Sequence, residues 1–125
     1  MTRDEILKMP AGYEMNKLIA TNVMGWALVN NHGEAGGKFW IGHGGSFGDM
    51  PERYLPDFSG EIAPAFSVVE KLQESGLGFS ISDYSPSKGW CAEFYGKQQN
   101  SKADGETAPL AICRAALLAV EAAQC

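Results

Sequence analysis

The residue best suited to binding an anion is an arginine in the most clearly helical stretch of the chain, residues 107–125. Thr107 is a typical N-cap, and the residues after it keep a helical period. At 3.6 residues per turn, Arg114 lies among leucines at the edge of the apolar stripe of this helix. A guanidinium in such a place is costly unless it is paired. Either Glu121 or another acid holds Arg114, which the helical wheel alone favours, or the arginine binds an anion.

The start of the same helix is a second place where a phosphate could bind. The first backbone N–H groups after Thr107 have no partner within the helix and attract anions. Asp104 and Glu106 stand next to them in the sequence, however, and would repel an anion. A phosphate contact at Thr107 and a simple helix start are therefore both open.

Aromatic residues on or beside the predicted strands are candidates for binding a nucleobase. Trp26 and Trp90 each follow a glycine at a strand start, where we expect the indole ring at the rim of a site. Phe79 and Phe94 belong to one predicted hairpin, and a position in the core is the ordinary interpretation for them. Stacking on a base, the alternative, contributes about 1–3 kcal/mol.

No group of residues favours catalysis in the same way. His32 and His43 lie in glycine-rich stretches without a recognisable motif of metal ligands. The run GHGGS at 42–46 lacks the lysine of a phosphate-binding loop, and no G-x-S-x-G nucleophile motif follows it. The acidic residues between 49 and 57 are expected to be solvated. The sequence therefore predicts no catalytic residue, no metal site and no cofactor.

Composition limits the classes of protein that this chain resembles. Its 125 residues suit one domain, 1–125. Ten basic against fifteen acidic residues give a net charge of −5, which disfavours a nucleic-acid polymer as partner but permits a small anion in a local cationic pocket. No apolar run has the length of a membrane span, and no signal-peptide pattern is present, so we expect a cytoplasmic protein. The cysteines are odd in number and widely spaced, which predicts reduced thiols at Cys91, Cys113 and Cys125.

The elements that position these residues follow the order helix, two strands, helix, two strands, helix. The predicted helices cover 2–23 with a break near Pro10, 61–75 with Ser59 as cap, and 107–125; the predicted strands cover 27–29, 38–41, 79–84 and 90–95. Residues 42–60 are expected to form a long loop or lid, and 96–105 a polar connection. This order predicts an α+β fold in which helices flank an antiparallel sheet of about four strands.

Three motifs resemble a known family. They are VMGW at 23–26, YLPDFS followed by IAPAFSVVEKL over 54–72, and ETAPLAICRAALLA at 106–119. Together they resemble the small phage and prophage proteins of the ABA sandwich domain family. The resemblance covers nearly the whole chain, and its last motif is long enough to be specific.

The resemblance implies a single-domain α/β/α sandwich. It further implies kinship with the phage anti-Thoeris proteins of the first described type, which are sponges: oligomers that bind cyclic ADP-ribose isomers made by bacterial TIR proteins and hold them intact. Some relatives also capture the cyclic oligonucleotides of CBASS defence. Arg114 matches by motif an arginine of the last helix that is associated with phosphate recognition in that family. The aromatics near Trp26 and on the hairpin of Phe79, Trp90 and Phe94 would stack on the bases.

We therefore expect a non-enzymatic phage anti-defence protein of the host cytoplasm that sequesters a cyclic nucleotide. The expected assembly is a homo-oligomer, from a dimer up to a hexamer, and the alanine face of the last helix is a candidate contact surface for another helix or a second subunit. No membrane or nucleic-acid polymer is expected as partner. Two other classes are open: a module that binds a host protein through a wide apolar patch, and an enzyme of phosphodiesterase or glycohydrolase type that uses His43 or the acidic loop.

Overall fold

Helices and strands follow one another along the chain largely in the predicted order. The computed structural model describes residues 2–30, 38–41, 50–85, 89–96 and 100–123. In these ranges the helices are α1 (Arg3–Lys8), α2 (Tyr13–Leu18), α3 (Ile62–Glu74) and α4 (Ala108–Ala123). A π-helix, Ile19–Val23, continues α2, and a 3-10 helix covers Glu52–Tyr54. The strands are β1 (Ala27–Asn30), β2 (Lys38–Ile41), β3 (Met50–Pro51), β4 (Gly78–Ser85), β5 (Gly89–Tyr95) and β6 (Asn100–Gly105).

The N-terminal helical region has its break where the sequence predicts it. The side chain of Thr2 accepts a hydrogen bond from the amide of Glu5 at 3.2 Å, which confirms Thr2 as the cap of α1. α1 ends at Lys8, and its C-cap Met9 is extended because a proline follows it. After the π-helix, Gly25 has a φ of 76°, a conformation that favours glycine, and the chain turns there into β1.

The strands form two three-stranded antiparallel sheets, in the orders β1-β2-β3 and β4-β5-β6. The two predicted hairpins are confirmed as β1–β2 and β4–β5. Two strands are absent from the sequence prediction: β3, in the stretch expected to be a loop, and β6, in the expected polar connection. β6 alternates between exposed and buried residues, but the residues facing inward are small. No apolar period therefore signals this strand, and its inward residues are Ser101, Ala103 and Gly105.

α4 is the centre of the hydrophobic core. It packs against β5 and β6 on one side and against α3 and the π-helix on others. Ala111 and Ala115 are fully buried within the chain. A Cβ atom on Gly105 would lie 2.6 Å from the amide nitrogen of Ala111, so β6 and α4 are in direct backbone contact. This part of the alanine face is therefore covered by the chain's own elements and is not a surface for a second subunit.

Ser59 does not cap α3, although the sequence predicts it as the cap. The N-cap position of α3 is Glu61, without a side-chain bond. Ser59 is instead fully buried and belongs to a polar network with the start of α2. The Oδ1 atom of Asn16 accepts from the amide of Ser59 at 2.9 Å and from its hydroxyl at 2.7 Å, and the amide of Gly12 donates to the same hydroxyl at 3.0 Å. The network fixes α2 to the segment before α3.

The predicted class, an α+β fold with antiparallel sheets and flanking helices, is confirmed, and its layers are those of a sandwich. The strands number six in the described ranges rather than about four, because β3 and β6 join the predicted hairpins as third strands. Cys91 and Cys113 are free and buried, as predicted, while Cys125 lies outside the described residues. None of the helices in those ranges combines the length and apolar character that a membrane crossing requires.

Candidate functional site

An open cleft of about 280 Å³ lies between α1 and β6. Arg3 and Leu7 line one side; they are four residues apart and share one face of α1. Lys102, Ala103 and Asp104 of β6 line the other side. Two basic residues, one acidic residue and two apolar residues thus border the cleft. We call this feature the α1–β6 cleft.

Arg114 borders this cleft through its hydrogen bonds. Its Nη1 donates to the main-chain oxygen of Asp104 at 2.8 Å. Its Nη2 and Nε donate to the main-chain oxygen of Met9, at 2.8 and 3.1 Å. Met9 is the C-cap of α1 and Asp104 lies near the end of β6, so the guanidinium joins the two walls of the cleft to α4. At least three of its five N–H groups are used in this way.

Burial and two nearby acidic residues act on the pKa of Arg114 in opposite directions. Burial lowers the pKa of Arg114, and the carboxylates of Glu106 and Asp104 act against that shift. A guanidinium stays protonated under ordinary conditions. Arg114 is therefore a cation that main-chain oxygens solvate, with acidic side chains in its surroundings. The sequence leaves the choice between an acid and an external anion open, and the structure adds main-chain oxygens as its direct partners.

Thr107 occupies the position that its type predicts. Its side-chain oxygen accepts a hydrogen bond from the amide of Leu110 at 3.3 Å, at the start of α4. Its hydroxyl oxygen is thus engaged in capping the helix. This agrees with the simple helix start as one of the two interpretations of Thr107.

The four aromatic candidates lie in or beside the core. Phe94 is 1 % exposed, and its ring centroid lies 5.0 Å from that of Phe79. Trp26 is half-buried, with its ring centroid 5.8 Å from that of Phe58. Trp90 is half-buried on β5 and lies opposite Gly105 in register.

Trp90 does not line the α1–β6 cleft. Successive side chains of a strand point to opposite faces, so the partner of Gly105 faces away from the side that carries Lys102 and Asp104. Phe79 and Phe94 share the face of Trp90 by the same alternation. The structure thus brings Arg114 to the cleft and keeps Trp90, Phe79 and Phe94 on the core side of the sheet.

The residues weighed for catalysis are spread over the chain. His32, His43, the 42–46 run and Asp49 lie outside the described residues. Glu52 accepts a hydrogen bond from the hydroxyl of Tyr13, and Asp57 accepts one from the side-chain amide of Asn16. Among the described residues, no three His, Cys, Asp or Glu side chains are grouped as metal ligands.

Two cleft residues, Arg3 and Lys102, are not candidates in the sequence. Arg3 stands in a short helix before its apolar residues Ile6 and Leu7, and Lys102 stands in a stretch without a strand signal. A basic residue at one of the first positions of a capped helix was the available clue at Arg3. The pairing of α1 with β6 is a long-range contact, and no local pattern shows it.

Comparison with known proteins agrees with this architecture. Residues 17–117 match the phage ABA sandwich domain. The crystal structure of a phage protein from Bacillus cereus ATCC 14579 superposes with a TM-score of 0.60 at 25% sequence identity, and the match covers 89% of this chain and 93% of that one. No curated protein matches the chain. Because the domain match takes in most of the sequence, including the π-helix, both predicted hairpins and most of α4, the chain belongs to the phage ABA sandwich domain family.

Proposed function

We propose that this phage protein binds a cyclic nucleotide immune signal of the host and holds it without cleaving it. The signal would be a cyclic ADP-ribose isomer made by a TIR protein or a cyclic oligonucleotide of CBASS defence, captured in the host cytoplasm. The observation that carries the proposal is the α1–β6 cleft, to which two different elements each contribute a cationic residue, Arg3 and Lys102. The family resemblance supports the same ligand class.

Capture of a signal needs affinity and slow release, not chemistry. The phosphates of a cyclic nucleotide are anionic, and charge-assisted hydrogen bonds from arginine and lysine are the strong contacts available to them. A net charge of −5 keeps nucleic-acid polymers away while a local pair of cations still attracts a small anion. These features favour a binding protein over an enzyme.

The size of the cleft favours a homo-oligomer. Pockets that enclose a ligand of drug size have volumes of about 300–1,000 Å³. The α1–β6 cleft, at about 280 Å³, is open and smaller. One subunit would therefore contact part of a cyclic dinucleotide-sized ligand, and a second copy would cover the rest. Light scattering that finds a monomer both with and without ligand would argue against this assembly.

The test is a thermal-shift screen against cyclic ADP-ribose isomers and cyclic di- and trinucleotides. A ligand that binds the native state raises the apparent stability by about 2.7 kcal/mol at a hundredfold excess over its dissociation constant. We expect a shift with one class of ligand and recovery of that ligand intact after the complex is denatured. Recovery of a cleaved product would show an enzyme instead, and no shift across the panel would overturn the proposal.

A second candidate function, a module that binds a host protein, has one observation in its favour. Ile62 and Phe66, one turn apart on α3, are 48% and 44% exposed. Phe66 makes an edge-to-face contact with Phe79, with 6.4 Å between the ring centroids. Large apolar side chains that stay exposed together are typical of interaction surfaces.

The two functions separate in cells that carry a TIR-based defence system. A sponge loses its protective effect on phage when Arg3→Gln and Lys102→Gln are introduced and keeps it with Phe66→Ser. An interaction module shows the reverse. The thermal midpoint of each variant serves as the control that the fold is intact.

A further inference from the structure

The α1–β6 cleft combines charges of both signs, and this combination limits the chemical classes of ligand that it can bind. Arg3 of α1 and Lys102 of β6 are its cations, and Asp104 is its carboxylate. All three side chains are exposed. A purely anionic ligand would gain from the two cations but would be repelled by the carboxylate. A metal cation would find one carboxylate and two like charges, which is a poor ligand set for Mg²⁺ or Ca²⁺.

A ribose phosphate satisfies all three side chains. Its phosphate accepts hydrogen bonds, and guanidinium and ammonium groups supply the donors. Its hydroxyl groups donate, and a carboxylate is an acceptor on which ribose hydroxyls are commonly held. We propose that the α1–β6 cleft is a ribose-phosphate subsite, in which Arg3 and Lys102 hold the phosphate and Asp104 accepts from the ribose hydroxyls. This inference rests on the proposed function and names the part of the nucleotide that the cleft takes.

Arg114 is a positioning residue for this subsite. Its bonds to the main-chain oxygens of Met9 and Asp104 connect the end of α1 to the strand that carries Asp104. Within the described part of the chain, the residues that line the cleft belong to α1 and β6. Arg114 therefore affects ligand binding indirectly, because its hydrogen bonds set the distance between α1 and β6.

The probes are adenosine 5′-monophosphate, its 2′-deoxy analogue and inorganic phosphate, added to the ¹⁵N-labelled full chain in an NMR titration. The ribonucleotide and the deoxynucleotide differ in one hydroxyl group. We expect the ribonucleotide to bind about tenfold more tightly, the ratio that corresponds to one hydrogen bond to a charged group. The amide signals of 102–104 should shift with both nucleotides.

The variants test the phosphate contact and the ribose contact separately. Arg3→Gln and Lys102→Gln should each weaken all three probes by a similar factor. Asp104→Ala should remove the difference between the two nucleotides and leave phosphate binding equal or tighter, while the main-chain oxygen that Arg114 uses is kept. Lys17→Gln on α2, which does not line the cleft, is the matched control and should bind like the wild type. Arg114→Lys should weaken both nucleotides while keeping their ratio.

Four outcomes decide the inference. Wild-type affinity for the three probes in Arg3→Gln and Lys102→Gln overturns it and removes the cleft as support for the proposed function. A cyclic nucleotide that still binds these variants would then bind at another site. An undiminished preference for the ribonucleotide in Asp104→Ala removes the role of the carboxylate. Binding of the monophosphates at 102–104 without any binding of cyclic nucleotides supports the subsite and overturns the proposed function. No binding of any of the three probes overturns the subsite.

Discussion

The main-chain oxygen of Met9 accepts hydrogen bonds from two nitrogens of Arg114, although 105 positions separate these residues in the sequence. Met9 is the last residue before the break at Pro10, so the bonds fix the end of α1 to α4. The third bond of the guanidinium goes to Asp104 and adds β6 to the same junction. One arginine thus holds together three elements that come from opposite ends of the chain.

Loss of this junction should destabilise the fold. Arg114→Ala leaves two main-chain oxygens without their charged donor, and a hydrogen bond to a charged group contributes about 1.5–3 kcal/mol. We expect a decrease of at least that size in the free energy of unfolding, measured by urea denaturation. Arg114→Lys should restore only part of it, because an ammonium lacks the planar fork. Lys71→Ala, in the last turn of α3, is the control and should change stability by less than about 1 kcal/mol. Equal stability of Arg114→Ala and wild type would contradict the junction.

Three glycines allow backbone strain and steric clash to be measured separately. Gly76 has a φ of 97° and open space around it, so Gly76→Ala should cost only the strain, about 1–2 kcal/mol. At Gly105 a Cβ would lie 2.6 Å from the backbone of α4, and Gly105→Ala should cost more because neither backbone can yield. Gly89 combines a φ of 81° with a Cβ position 2.4 Å from the oxygen of Gly105. Thermal unfolding should therefore rank Gly89→Ala as the least stable. Stability of Gly89→Ala or Gly105→Ala equal to that of Gly76→Ala would show that the backbones around the substituted glycine pack less closely.

The buried network around Asn16 should be essential to the start of α2. Asn16→Ala leaves the main-chain amide of the fully buried Ser59 without its acceptor, while the Ser59 hydroxyl keeps the main-chain oxygen of Gly12 at 3.5 Å. Each unsatisfied buried polar group costs about 1–3 kcal/mol. We expect a loss of stability in that range or above it, and faster hydrogen exchange at the Ser59 amide. Asn22→Ala, on the exposed side of the π-helix, is the matched control and should stay within about 0.5 kcal/mol of wild type.

Tyr13 should titrate later than an ordinary tyrosine. The hydrogen bond of its hydroxyl to Glu52 raises the pKa of Tyr13 to about 12, and burial and the charges of Glu52 and Glu14 act in the same direction. Because the folded pKa lies above its ordinary value, the contribution of this bond to stability is fully present below about pH 10 and is lost as the pH rises towards 12. The contribution is small, since 44% of the side chain is exposed.

Ultraviolet titration of the tyrosinate band checks this pKa. The difference between wild type and Tyr13→Phe should show one tyrosine that titrates near pH 12. Glu52→Gln removes the carboxylate and should bring that component back towards its usual range. A Tyr13 component that titrates near pH 10 in the wild type would mean that the hydroxyl does not bind Glu52 in solution.

The helix caps and hairpins could be predicted from the sequence because each depends on residues close together in the chain. The cap at Thr2, the N-cap at Thr107 and the two hairpins each depend on residues within a few positions of one another. The α+β class followed from the order of these elements. Helix α4 also followed, because the residues after the N-cap at Thr107 keep a helical period.

Tertiary structure decided the features that depend on distant contacts. Ser59 follows the pattern of a helix cap, yet Asn16 holds it in the core, because satisfying buried polar groups outweighs a local capping preference. β6 becomes a strand because β5 offers its free edge, not because 100–105 has a strand pattern. The sequence shows Arg114 at the edge of an apolar helix face. Its partners are two main-chain oxygens, of Met9 and Asp104, which only the tertiary structure brings to it. The cleft itself depends on tertiary packing, because Arg3 and Lys102 border one cleft only once α1 packs on α4 beside β6.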